Sequence, residues 1–301
     1  MRFRRLGSAG SVRLPAVSAS ETLIVKRAFK WMGIALGALV VAVLLIVFGV
    51  SEYRLRQTFD IAATPVDVPT DSVSLERGHH VFLTRGCQGC HGPDTEGKVF
   101  FDDPKIARLV APNVPKAIRG YTDPELARLI RHGVRPNGRG VAVMPSSMFY
   151  NLDDADVGAL IAFLRTLPEK EKPLPPTKLR TLARVGLVTG QYKLEPLNIV
   201  HDAPRPANGP DAAARGQYIA KSSCTECHGA KLEGDQAAPA LSVVAAYSPA
   251  EFSRLMREGI PRDGRKLQTM AVVAQARFSS FSDEEVAGLY SYLSRQVAAA
   301  K

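Results

Sequence analysis

Cys87, Gln88, Gly89, Cys90, His91 and, later, Cys224, Thr225, Glu226, Cys227, His228 are two copies of one pattern, Cys-x-x-Cys-His. On a helical turn, positions i, i+3 and i+4 share a face, so each copy brings two thiols and an imidazole together. This is the attachment pattern of c-type haem. Cys87, Cys90, Cys224 and Cys227 are expected to add across haem vinyl groups as thioethers, with His91 and His228 each giving the iron an axial nitrogen. Two covalently bound haem c groups follow. All four cysteines are used, which leaves neither a disulfide nor a free thiol. Cys-x-x-Cys pairs also suit a zinc site or redox dithiols. Zinc pairs usually lie roughly 12 to 20 residues apart. These are separated by most of a domain, and a histidine follows both.

The 301 residues, 46% of them hydrophobic, suffice for two small domains and connectors. Of the net charge of +10, the first thirty residues carry +6, from Arg2, Arg4, Arg5, Arg13, Lys26, Arg27 and Lys30 against Glu21. The remaining body is only mildly basic. That suits docking or membrane-surface contacts and gives no reason to expect a nucleic-acid partner.

Trp31 to Val50 is a run of twenty residues without a charge. As a helix it is about 30 Å long, the thickness of a bilayer core. The run exceeds a signal-peptide apolar region and ends in Ser51, Glu52, Tyr53, Arg54 with no small-residue cleavage pattern, so a retained anchor is expected. More cations precede it than follow it, which puts the N-terminus in the cytoplasm of a bacterium and the rest on the periplasmic side of the inner membrane. Residues 57–72, with Pro65 and Pro69, read as an extended tether, or alternatively as a loop packed on the first domain.

The two halves repeat one another. Tyr121 to Met144 aligns without a gap with Tyr247 to Met270, pairing Glu125 with Glu251, Arg131 with Arg257 and Gly133 with Gly259. A sixth iron ligand shared by both halves is therefore Met144 and Met270, because Met148 aligns with Ala274. Thioether sulfur suits haem iron and raises its potential relative to a second histidine. Amphipathic helices close the halves, from Leu152 to Leu167 and from Phe281 to Leu293. Between the halves, a Pro-rich stretch with Leu182, Val185, Leu187, Val188 and Tyr192 is expected either to wrap over the haem domains or to present a docking surface.

Both halves, with their Cys-x-x-Cys-His, Tyr-x-x-x-Glu helix, Gly-Arg before a methionine and terminal amphipathic helix, resemble class I cytochrome c domains. The exported part is similar to the diheme cytochrome subunits of periplasmic dehydrogenases. The resemblance implies an all-α fold: an N-terminal transmembrane helix followed by two tandem class I cytochrome c domains. It divides the chain into a cytoplasmic segment (1–27), an anchor (28–50), a tether (51–70), domain 1 (71–168), a connector (169–207) and domain 2 (208–301). It further implies that Gly78 and Gly216 let helices approach Phe163 and Tyr292 closely, and that the carbonyls of Pro112 and Pro239 orient His91 and His228. About ten more residues, Phe100 to Asp103 among them, separate motif and proline in the first half, a departure from the compact pattern. Pro145 follows Met144 as in the family, whereas Ala271 follows Met270.

A His/Met site has no open position at iron. The expected function is a membrane-tethered two-haem electron relay and not an enzyme. Its partners would be periplasmic or membrane-bound: a dehydrogenase, a quinol-oxidising complex or an oxidase. The alternative is a diheme peroxidase with one reactive haem. His79, His80, His132 and His201 remain, and are expected to be surface or hydrogen-bonding residues rather than ligands.

Overall fold

A computed structural model describes residues 19–235 and 238–299. Arg2, Arg4, Arg5 and Arg13, and with them most of the basic N-terminal segment, lie outside the described residues. The described residues fall into two compact units, one up to Gly49 and one from Val50 onward. Helix α1 (Ala19–Leu55) begins in the first. Its portion Lys26–Leu55 is long and apolar enough to cross a membrane. Leu39, Val41 and Leu45 are exposed along it, a surface water does not favour.

The second unit holds both repeats. The first runs through α2 (Ser72–Thr84), α3 (Cys87–His91), a hairpin of β1 (Lys98–Asp103) and β2 (Ala107–Ala111), α4 (Val114–Ile118), α5 (Asp123–His132), α6 (Ser146–Phe149) and α7 (Asp154–Thr166). The connector adds β3 (Lys178–Leu179) and α8 (Thr181–Thr189). The second repeat contains α9 (Ala212–Ser223), α10 (Thr225–His228), α11 (Pro249–Glu258), α12 (Thr269–Ala276) and α13 (Asp283–Ala299).

Helix ends follow from local chemistry. Asp71, Asp153 and Asp211 cap α2, α7 and α9 by accepting backbone N–H groups. Thr122 with Glu125, and Ser248 with Glu251, form reciprocal capping boxes at α5 and α11. Both helices stop at a left-handed glycine, Gly133 at φ 66° and Gly259 at φ 74°. In each half the first helix crosses the last at a glycine. A Cβ on Gly78 would stand 2.0 Å from the Ala159 carbonyl oxygen and 2.8 Å from Phe163 Cβ. One on Gly216 would stand 2.1 Å from the Gly288 oxygen and 2.7 Å from Tyr292 Cβ.

The halves share one apolar core, in which Leu126, Leu152 and Ile161 join Tyr218, Ile219 and Leu289. At the junction the buried Tyr218 hydroxyl donates to the Asp156 carboxylate, whose other oxygen accepts from Arg77 Nε at 2.6 Å. Asn151 donates to the Lys221 carbonyl at 3.2 Å, and His80 meets the Glu285 carboxylate at 2.9 Å.

Three features add to the expected plan or settle between its alternatives. The ten extra residues of the first half are a β-hairpin, and a connector strand completes a sheet in the order β1-β2-β3. Residues 57–70 are extended but do not swing free, since the Phe59 N–H donates to the Gly138 carbonyl at 2.9 Å and Arg128 to the Ile61 carbonyl at 3.0 Å. The connector wraps over the first half, burying Leu187 and Leu194, and Tyr192 donates to the Ala142 carbonyl at 2.5 Å. Leu182, however, stays 54% exposed, because it lies on the outer side of α8.

The connector is also pinned by histidines. His201 Nε2 lies 3.1 Å from the Pro196 carbonyl, which can only accept, so His201 carries its proton there. Its Nδ1 then accepts from His132 Nδ1 at 2.8 Å. Burial, followed by the proximity of His201 and the charge of Arg131, pushes His132 down to about 4.

Gly78→Ala and Gly216→Ala should each destabilise the fold by about 1–3 kcal/mol through overpacking, read from thermal unfolding by circular dichroism. Because His132 is depressed from 6.5 to about 4, the unfolded chain binds its proton first. Stability should therefore fall as pH drops from 6.5 towards 4, and His132→Gln should flatten that part of the Tm–pH profile.

Candidate haem sites

Gly86, left-handed at φ 77°, turns the chain out of α2 into α3, where Cys87, Cys90 and His91 come onto one side. His91 Nδ1 donates to the Pro112 carbonyl at 3.0 Å. A carbonyl only accepts, so the ring proton is on Nδ1 and the Nε2 lone pair is left for a ligand. Burial holds His91 below its ordinary value, with the Pro112 bond opposing it, so the imidazole is neutral at pH 7.

Cys87, Cys90, His91, Pro112, Met144 and Pro145 lie on the wall of one cavity of about 530 Å³. Its remaining wall is largely apolar, with Phe82, Leu126 and Leu160 among the contributors. Size and lining are those of a small-molecule or cofactor site. Met148, by contrast, is only 1% exposed and packs in the core.

The second half follows the same plan with a shorter return. Cys224 ends α9 and α10 carries Cys227 and His228. His228 Nδ1 donates to the Pro239 carbonyl at 2.7 Å. Met270 sits in the first turn of α12, half-buried against the shared core. Proline and histidine are 21 residues apart in the first half and 11 in the second, and the β1–β2 hairpin takes up the difference.

The loop after each motif carries a further signal that the motif search does not include, Gly-x-x-x-Glu-Gly at Gly92 to Gly97 and Gly229 to Gly234. Thr95 and Leu232 adopt the same positive φ, 59° and 64°. The N–H groups of Gly97 and Gly234 donate to the carbonyls of His91 and His228, each at 2.8 Å. The paired arginines of the repeat also have a purpose. Arg131 donates twice to the Leu152 carbonyl, at 3.1 and 3.0 Å, and Arg257 to the carbonyls of Ser279 and Phe281, which fixes α5 and α11 to the start of the closing helices.

Zinc and dithiol chemistry fit the cysteines less well. Burial pushes the Cys87 and Cys224 thiols up to about 11, the opposite of a reactive dithiol. No group of three or more His, Cys, Asp or Glu among the described residues is arranged to hold a metal ion. The remaining histidines are occupied elsewhere: His79 stacks on Phe163 at 4.9 Å, His80 pairs with Glu285, and His132 with His201.

The cytochrome c family model matches residues 75–168 and 213–296. The fructose dehydrogenase cytochrome subunit of Gluconobacter japonicus is 22% identical over 268 residues, covering 76% of this chain and 54% of that protein. A diheme cytochrome c-type protein of Cereibacter sphaeroides is 28% identical over 170 residues, covering 50% of this chain and 56% of that protein. A nicotinate dehydrogenase subunit of Pseudomonas putida is 25% identical over 236 residues, or 74% of this chain and 19% of that protein. The chain thus spans about half the length of the first two relatives and a smaller part of the third.

Met148→Ala should cost about 2–5 kcal/mol of stability, as a large-to-small change in the core. Met144→Ala, on the cavity wall, should cost less. Denaturant unfolding of the two variants side by side checks the order.

Proposed function

The chain belongs to the cytochrome c family, and on that premise we propose that it is a membrane-tethered relay passing electrons from a dehydrogenase or quinol-linked donor to a terminal acceptor. It carries two covalently bound haem c groups, and electron transfer is its function. In our reading Cys87 and Cys90 hold one haem and Cys224 and Cys227 the other. His91 with Met144, and His228 with Met270, would be the iron ligands, and Pro112 and Pro239 would orient the imidazoles. The observation that carries the reading is that His91, its Nδ1 committed to Pro112, shares a cavity wall with Met144.

Bound haem supplies a one-electron couple at its iron. The chain does the rest. The proline carbonyls keep each imidazole in the tautomer that leaves Nε2 free, and make it a better donor. The Met144 and Met270 sulfurs would fill the remaining ligand position of the bound groups and leave no place for a substrate there. Apolar walls exclude water and limit reorganisation. The same logic makes the protein an electron carrier rather than a catalyst.

We place the haem domains on the periplasmic side of a bacterial inner membrane, with the N-terminus in the cytoplasm. The apolar span of α1 and the excess of cations before it support this orientation. Two of the relatives are named as dehydrogenase subunits, which favours a dehydrogenase as the donor.

The oxidised protein should show a sulfur-to-iron charge-transfer band that falls by about half in Met144→Ala and by about half in Met270→Ala, since each removes one of two thioether ligands. Full intensity in both variants would refute the ligand assignment. Saturable peroxide turnover with a high-spin haem would favour a peroxidase.

A further inference from the structure

Two arginines cross between the halves beside the haem motifs. Arg85, two residues before Cys87, is 3% exposed. Its guanidinium carbon lies 5.5 Å from the ring centroid of Tyr218 and 6.0 Å from that of Phe281, both in the second half. Nη1 donates to Thr84 Oγ1 at 2.9 Å, Nε has no partner, and the side chain's charge also reaches the Glu285 carboxylate, which His80 holds at 2.9 Å. Arg277, just after α12, goes the other way. It lies over Gly86, where a Cβ would stand 2.5 Å from its Nε. Its side chain is 14% exposed, Nε and Nη2 are buried without partners, and Nη1 faces Glu226 of the second motif at 3.6 Å.

Arg85, Arg277 and Glu226 all line the cavity that holds Cys87, Cys90, His91 and Met144. The charge of Arg277 reaches all four cysteine sulfurs, and that of Arg85 reaches Cys87 and Cys224. Neither arginine has a counterpart in the repeat. Ser222 stands two residues before Cys224, and no arginine lies between Met144 and the closing helix of the first half.

We propose that Arg85 and Arg277 form a buried cationic junction that raises the reduction potential of the first haem above that of the second, with Glu226 as a partial counter-charge. The proposal rests on the two-haem reading above. Reduction adds one electron and removes one positive charge from the haem iron, so a nearby cation favours the reduced form. The effect is large where the surroundings are poorly polarisable. Both arginines reach cysteines of both motifs, but both line the first cavity, so the junction is assigned to that haem, where electrons shared between the two would collect. Arg85 and Arg277 act on the potential through the field and touch no reacting atom, so they are positioning residues for charge rather than catalytic ones.

Spectroelectrochemical titration of the full-length, haem-loaded protein tests this. Arg277→Gln and Arg85→Gln should each lower the reduction equilibrium constant of one haem at least tenfold, about 59 mV for a one-electron couple, and move the other less. Arg277→Lys should restore most of the loss. Glu226→Gln, at a half-exposed position, should move the same wave upward. A purely structural role predicts no such opposition of sign. A change of less than twofold in all four variants, or a shift of the same sign for Arg277→Gln and Glu226→Gln, overturns the junction. Should the arginine variants fail to assemble, an unmoved or lowered potential in Glu226→Gln overturns it alone. Failure of the relay reading looks different: the unsubstituted protein would then contain a high-spin haem that binds an added ligand such as cyanide.

Discussion

The carbonyl oxygen of Ala159 stands 2.0 Å from where a Cβ on residue 78 would be, and the Gly288 oxygen 2.1 Å from one on residue 216. Two helices that touch backbone to backbone are the constraint on which each half depends. The haem motif hangs directly from the end of α2 or α9, so the depth of the crossing sets how far the motif reaches over the core closed by α7 or α13. A glycine within a helix costs roughly 0.5–1 kcal/mol relative to alanine. Overpacking the crossing would cost about 1–3 kcal/mol. The backbone loss is the smaller of the two, and it leaves the motif in place.

From the crossing onward, what recurs in both halves is a position rather than a length. Histidine and proline are 21 residues apart in one half and 11 in the other, yet both put an accepting carbonyl 3.0 Å or less from Nδ1. The loops Gly92 to Gly97 and Gly229 to Gly234 share the same backbone, including the non-glycine residues at positive φ. Only after that loop do the halves diverge, and the first inserts its hairpin where extra chain can leave and return without moving Pro112. The hairpin then gives the connector an edge to pair with, so one insertion accounts for both β1–β2 and β3.

The readable features are those coded locally. Cys-x-x-Cys-His, the twenty-residue apolar run and the 3–4 spacing from Leu152 to Leu167 each carry their meaning within a short window. The gapless repeat extends that reach, singling out Met144 over Met148, and the structure gives the two residues different surroundings. The capping boxes at Thr122 and Ser248 are equally local and readable from the Thr-x-x-Glu and Ser-x-x-Glu spacing. What escapes is set by distant partners. Lys178 and Leu179 become a strand only because Ala107 and Arg108 lie beside them, and two residues hold no periodicity. Leu182 belongs by composition with its buried neighbours, but α8 has only one side against the protein. No window contains both Tyr218 and Asp156, and the junction between the halves is made of such pairs.

That junction contains more charge than adhesion needs. Burying a guanidinium is unfavourable by several kcal/mol unless it is well paired, and replacing a buried ion by apolar side chains is often neutral or stabilising. Arg85 and Arg277 are buried with N–H groups that have no partner, in a junction that already has the apolar faces of Tyr218, Phe278 and Phe281 to bury. An interface selected for stability alone has no use for them there. They do have a use beside an iron that changes charge, and α12 shows how close the coupling is: Met270, proposed for one haem, lies in its first turn, and Arg277, seven residues on and just past its end, lines the cavity proposed for the other. At about 1.5 Å per residue that is on the order of 10 Å of rigid helix. If Met270 is a ligand as proposed, the element that would close the second site also leads to a charge beside the first, which would make the two haems an ordered pair rather than two independent carriers on one chain.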